Sequence, residues 1–372
     1  NLQLSGATVK AKAIRTSGRL DIASTSGFAQ DGGLSVGGNA SFTAGSGGDL
    51  TLDREPNTFG GTVTLQGRQA RIGAQSALAL EGIDVATLDA SSTGSLSLAD
   101  ARIAGRAGLD AASLLIDDAR IDGALVASAS GGDIRQGNGS LVIGSNSQLT
   151  ASNDIVLGNA GNQLGSALQA GGRDVVLTSA TALDLQQLQA TRDATLSGNG
   201  VRLGNLSAQG ALSIDSFATI TQTDALQVGG SSRFKAATDI SLDQAGNRFD
   251  GAVALDGRNV AITSSDGLLF DSVITTGDLD ARAGSAGIRQ QAALRIDGRS
   301  DIRTPGSIVL DRADNRFAGA VGLDGRGINL RTDGNLQVDR LGNTGQADVR
   351  LQAGGGPQLP ATAIDTGTGN LT

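Results

Sequence analysis

The 372 residues contain no cysteine, histidine, methionine, tryptophan or tyrosine, only 4 prolines, and 8 phenylalanines as the sole aromatics. Each absence excludes something. Without cysteine there is no disulfide and no thiol chemistry, although this says nothing about compartment. Without histidine or cysteine the common transition-metal sites disappear, and so do the Ser-His and Cys-His nucleophile arrangements. Without tryptophan or tyrosine the chain lacks the usual platforms for sugar rings or unpaired bases. Lysine occurs only at positions 10, 12 and 235, and the formal net charge is −8. A dedicated nucleic-acid face would need a basic surface, so none is expected. No apolar run approaches the roughly 20 residues of a membrane-spanning helix. The sequence opens at Asn1 without a basic-then-apolar leader and is expected to be an interior piece of something longer.

What is present is narrow. Hydrophobic residues make up 39%, almost all of them Ala, Val, Leu and Ile, and there are 56 glycines. With so few prolines and no glycine at every third position, collagen is excluded. Gly, Asn, Asp and Ser between short aliphatic runs are turn residues, because they tolerate positive φ or bond their own backbone.

Four diverged copies of one motif organise the chain. The clearest are DISLDQAGNRFDGAVALDGRNV at 239–260 and SIVLDRADNRFAGAVGLDGRGI at 307–328; a third runs from Asp49 to Arg68 and a more worn fourth from Asp154 to Arg173. Each copy is preceded by a Gly-x-Leu, then by a segment ending in Gln30, Gln136, Gln222 or Gln290, then by a Leu-x-Val or Leu-x-Ile step. The equivalent Gln residues are 106, 86 and 68 apart, and the Asn residues of the Asn-x-Phe element (Asn57, Asn162, Asn247, Asn315) are 105, 85 and 68 apart. All the variation falls between the Arg that ends one copy and the Gly-x-Leu of the next. Steps of about 20 residues imply whole structural rungs gained or lost, since a partial rung breaks strand register.

The apolar residues alternate over runs of 3–5, as in Val253-Ala-Leu255, Leu294-Arg-Ile296 and Ile308-Val-Leu310. This is the period-2 signature of half-buried strands, and no helical period competes with it. The expected fold is all-β: a parallel β-helix (β-solenoid) of roughly 17–23 residues per rung, with residues 1–352 as the repeat array. About 18 rungs at ~4.8 Å predict a monomeric, elongated rod near 90 Å long. Residues 353–372 are expected to continue it after the Gly/Pro-rich 353–360, which is a loop or a module boundary.

The markers are read as structural before functional. Phe59, Phe249 and Phe317, with Leu164 in the same place, are expected to fill a wider corner of the coil. The Asn two residues earlier is expected to take a left-handed turn conformation or to bond exposed turn backbone. The four Gln residues are turn or ladder residues first, ligands second. The one adjacent carboxylate pair, Asp117-Asp118, alternates across a strand and does not converge. Gly45-Ser-Gly-Gly-Asp49 and Gly131-Gly-Asp133 resemble calcium-binding nonapeptides, but the repeat does not sustain them. The chain is therefore expected to be no enzyme, with no cofactor or metal.

The recurring Gly-x-Leu, Ile-x-Gln, Leu-x-Val, Asp-Ile-x-Leu and Asn-x-Phe-x-Gly-x-Val-x-Leu resemble the repeats of filamentous-haemagglutinin-like exoproteins of Gram-negative bacteria, over about residues 18–352. The resemblance implies a right-handed parallel β-helix and two-partner secretion through an outer-membrane β-barrel. It also implies a secreted or surface-exposed shaft that mediates or presents cell contact, in adhesion, biofilm or contact-dependent toxin delivery. The host-cell or bacterial-surface receptor, or glycan, is not implied. The amino-terminal secretion domain of that family is not evident. The alternative is a polysaccharide-binding or polysaccharide-processing β-helix, which calls for a cleft with clustered Asp or aromatics. A consensus-designed solenoid is disfavoured by the worn, unequal copies.

Overall fold

Segments such as Ile308–Leu310 explain the architecture at its smallest scale. Two aliphatic side chains point one way and are buried, and the residue between them points out. The same alternation runs through strands from Leu20–Gln30 to Val349–Ala353. A three-residue strand buries too little to persist alone, so it needs a copy of itself on each side. The computed structural model describes every residue except Glu55, Thr344, Gln346, Thr362, Ala363, Asp365, Gly367 and Thr368. Among the described residues there is no helix and every strand pairing given is parallel. The strands stack in about 18 turns, a β-solenoid.

The chain divides into two compact units, Asn1–Asp184 and Leu185–Thr372. In the first unit Leu78, Leu96, Leu114, Ile134, Ile155 and Val175 lie in one hydrogen-bonded column, one per turn, all buried. In the second, Leu268, Ile288, Ile308, Ile328 and Val349 do the same. Stacking like on like is how five missing residue types go unneeded: the core is a set of aliphatic ladders. Turn length follows from the register. Val253 lies against Phe270, 17 residues on, and Ala40 against Val63, 23 residues on. In the second unit one turn comprises three strands, for example Ile220–Gln222, Leu226–Val228 and Ser232–Ala236, before Ile240 returns against Ile220.

The copies do not stack on themselves. Ile220, two residues before Gln222, heads a column through Ile240 and Val260 to Leu279, the Leu of the next Gly-x-Leu. Its own counterpart, Ile288, lies in a different column. In the first unit Phe28, two residues before Gln30, leads through Leu50, Ala70, Leu88 and Ala107 to Leu125, again the next Gly-x-Leu. Its counterpart Ile134 again lies elsewhere. Within each unit, one copy to the next therefore spans whole turns plus one face. The expectation that markers recur at one corner is corrected accordingly: equivalent residues move one face around per copy.

Corners are made by few residues. Gly82, Asp100 and Asp118 occupy matching places in three successive turns, between paired flanks, and all have positive φ (67°, 46° and 45°). Gly27 and Gly287, each three residues before a marker Gln, have φ of 131° and 87°. A Cβ there would run into the carbonyl oxygens of Asp49 and Ser307 on the next turn. Of the segment 353–372, Pro357–Gln358 pairs with Leu336–Gln337 and Leu371 bridges Val349. Residues 362, 363, 365, 367 and 368 lie outside the described residues.

Candidate functional site

The repeated polar markers find each other. Gln30, Gln136, Gln222 and Gln290 each donate from Nε2 to the side-chain Oδ1 of Asn57, Asn162, Asn247 and Asn315, at 2.5, 2.6, 2.7 and 2.7 Å. Each Asn donates back from Nδ2 to the Gln Oε1, at 3.2, 2.8, 2.8 and 2.8 Å. The remaining capacity goes to backbone. Asn Oδ1 also accepts from the amides of Leu34, Leu141, Leu226 and Leu294. Asn Nδ2 also donates to the carbonyls of Leu52, Leu157, Leu242 and Leu310. All four Asn are fully buried. None has a positive φ, so the expected left-handed conformation is wrong, as is the expected bonding to exposed backbone. Among the described non-glycine residues the left-handed places belong to Asp100, Asp118 and Ala167, and Asn serves as an interior clasp. Its amide has two donors and an acceptor oxygen, and all are used.

Phe59, Phe249, Phe317 and Leu164 are buried beside the clasps. Phe59 meets Phe42 edge-on with ring centroids 6.5 Å apart, and Phe249 meets Phe234 likewise at 5.9 Å. The three Phe pair in register with Val36, Val228 and Ile296. The eight Gln and Asn markers spend their bonds on one another and on backbone, while Phe249 and Phe317 each border an open groove.

Polar chemistry on the outside is also repeated. The acid that opens a copy pairs with the Arg that closes it: Arg68 with Asp49 at 2.6 Å, Arg173 with Asp154 through two bonds of 2.9 Å, Arg258 with Asp239 at 2.9 and 2.6 Å. In the last copy the acid is replaced by Ser307. Arg258 beside Asp239 holds that carboxyl down at about 2. Arg173 likewise holds Asp154 below the usual carboxylate range.

The second unit carries an open groove of about 470 Å³ on one face, lined by Asp239, Ser241, Ala261, Asp280, Asp301 and neighbours. Its acids are spoken for. Asp239 Oδ1 accepts from the amide of Asn259, Asn259 Oδ1 from that of Asp278, and Asp278 Oδ1 from that of Arg299. This is a ladder of side-chain oxygens capping one turn after another. Asp280 is held by Arg282 and Asp301 by Arg303 and Arg340. Burial pushes the Asp301 carboxyl up, but the two guanidiniums outweigh it and hold it below the usual range. A general acid needs the opposite shift. The first unit has a similar groove of about 390 Å³, where Asp89 lies 3.9 Å from both Arg71 and Arg106. Asp117 accepts from the amide of Gly139 at 2.5 Å, while the positive φ of Asp118 turns the chain there. The grooves and the oxygen ladder were not anticipated from the sequence. An Asp or Asn immediately before the first buried residue of a strand (Asp239, Asn259, Asp278) is the signal that could have found the ladder. Among the described residues no group of three or more acids is placed to hold a metal ion.

A family of repeats of unknown function (DUF5649) matches residues 1–66, 110–171, 191–256 and 257–324, more than two thirds of the chain. The chain belongs to that family. Each matched segment contains one Gln–Asn clasp, so the family unit and the structural unit coincide. The unmatched stretches 67–109 and 172–190 fall where the spacing between copies varies. No curated protein and no solved structure matches the chain.

Proposed function

We propose that this chain is a structural shaft segment of a secreted or surface-exposed bacterial protein of the filamentous-haemagglutinin kind, holding or presenting a cell-contact function. The supporting observation is where the repeat spends its polar residues. The four recurring Gln and Asn are bonded to one another and to backbone, and the Arg that closes three of the four copies is held by the Asp that opens them, which leaves these residues a means of continuing the repeat. Export without cysteine and folding by turn-to-turn pairing suit passage through an outer-membrane β-barrel transporter as an extended chain. The chain is proposed to be no enzyme.

The test uses the producing cell. An antibody to this segment should label the outside of intact cells or the culture medium. Deleting the whole segment from the full-length protein should abolish cell contact, whereas deleting one turn should leave it. A protein confined to the cytoplasm would defeat the reading.

The grooves favour one second reading, a polysaccharide-binding β-helix. Saturable binding of a soluble polysaccharide by the isolated chain, lost on filling the groove with Ala261→Trp, would support it over the shaft.

A further inference from the structure

One outward column in the second unit combines charged side chains with an exposed apolar one. Asp215, Lys235, Asp256, Ile274, Arg295 and Arg316 lie in hydrogen-bonded register, one per turn, on the same face. On other faces of this unit many acids and arginines are held together within 4 Å, as in Asp280–Arg282, Asp301–Arg303 and Asp250–Arg248. Among the described residues, none of the five charged groups in this column forms an ion pair or a side-chain hydrogen bond. Ile274 is 45% exposed and is one of few large apolar side chains turned to solvent. From Asp256 onward the column therefore runs acidic, apolar, basic, basic, with no charge in it held by an ion pair or a side-chain hydrogen bond.

The stretch from Asp256 to Arg316 is self-complementary when reversed. We infer that this column is the contact face of an antiparallel homodimer, in which a second copy of the chain lies along it with its direction inverted. A two-fold axis makes the same patch serve both partners. An axis through Ile274 would set Lys235 against Arg316, which is repulsive. An axis midway between Ile274 and Arg295 avoids this. It places Asp256 opposite Arg316 of the second copy, and Arg316 opposite its Asp256. It also lays each Ile274 on the aliphatic stem of the other copy's Arg295, a contact that leaves the guanidinium in water. The column spacing is the same on both sides, about 4.8 Å per turn, so pairs one turn apart stay in step. This replaces the monomer expected from the sequence and does not depend on the shaft reading.

Sedimentation equilibrium of the full chain tests it, at low and high ionic strength. A reversible dimer that weakens with salt is expected, because exposed charge pairs are screened. Arg316→Asp alone and Asp256→Arg alone should each weaken dimerisation by roughly tenfold or more, since each sets like charges face to face twice. An equimolar mixture of the two variants should recover it as a heterodimer, and so should the double variant. Circular dichroism checks that the variants fold. Ile274→Lys, which sets a cation against Arg295, is the second probe if either swap does not fold, and it too should weaken the dimer. A chain that is monomeric at all concentrations and salts overturns the inference. So does a dimer indifferent to these substitutions, as association through strand edges at the ends would be.

Discussion

Gln290 and Asn315 exchange two hydrogen bonds, 2.7 Å one way and 2.8 Å the other, in the buried wall of the solenoid. Asn315 also serves the amide of Leu294 and the carbonyls of Leu310 and Arg331. Removing a buried hub strands its partners, at about 1–3 kcal/mol for each unsatisfied group. Asn315→Leu is expected to cost roughly 3 kcal/mol or more, and Gln290→Met about 1–2 kcal/mol, because Gln290 strands fewer partners. Asn315→Asp adds a sign to check. Burial would raise that carboxyl above its unfolded value, so the variant should lose stability as pH rises through about 4 towards 7. Denaturant midpoints at pH 4 and pH 7 measure both effects. An Asn315→Leu variant as stable as the parent would show that the clasp is not what joins these turns.

The unmatched stretch 67–109 should be removable in whole turns. Ile103 pairs with Val85 from the preceding turn, 18 residues back. Deleting residues 86–103 therefore joins Val85 to Ala104 with every later side chain still on its own face. Deleting 86–94 instead moves later residues off their faces, which exposes aliphatics and buries polar groups. The full-turn deletion is expected to keep the β-sheet circular dichroism and a melting temperature within a few degrees of the parent. The half-turn deletion is expected to aggregate or melt far earlier. Equal behaviour of the two would mean that turn count is not the unit of variation.

Much of this was readable beforehand, and the rest was hidden for definite reasons. Period-2 runs such as Val253-Ala-Leu255 announce which side chains are buried, because a strand alternates faces whatever its neighbours do. Rung length followed from differences between copies. The one-face advance per copy did not, because 68 residues divide into three turns of about 23 as readily as into three and a third of about 20. Only the register of Ile220 with Leu279, through Ile240 and Val260, decides it. Asn247 and Gln222 were recognisable as recurring residues, but nothing local relates two amides 25 positions apart. Their partnership exists only once turn length is known. The open grooves and the face around Ile274 are outward features, assembled from residues about 20 apart that come together only once turn length is known.

The Asp239–Arg258 pair makes a pH-dependent contribution whose direction is fixed. The carboxyl is held at about 2 in the folded chain against 3.8 for the free group. A depressed carboxyl contributes in full above its unfolded value and loses that contribution as pH falls through its folded value. The difference in melting temperature between the parent and Arg258→Gln should therefore be constant above about pH 5 and shrink between about 4 and 2. Both side chains are well exposed, at 57% and 37%, so water screens the pair and the plateau should stay within about 1 kcal/mol. A difference that grows on acidification would contradict the assignment.

The last copy offers the converse experiment. Asp49, Asp154 and Asp239 each hold the Arg that closes their copy, but Ser307 leaves Arg326 without that acid. Register supports the substitution, since Ile308 pairs with Ile328 as Ile240 pairs with Val260 and Ile155 with Val175. Ser307→Asp should therefore stabilise the second unit by about 0.2–1 kcal/mol at low salt, the range for an exposed pair. It should gain less than its siblings do. In two of the sibling copies the acid, Asp154 or Asp239, also accepts from the backbone amide of Asp174 or Asn259, whereas the amide of Gly327 already donates to Asn343. Ser307→Asn controls for side-chain size, and Ser307→Asp combined with Arg326→Gln completes the cycle that isolates the pair. A gain that persists without the guanidinium would mean that the acid acts on backbone, not on Arg326.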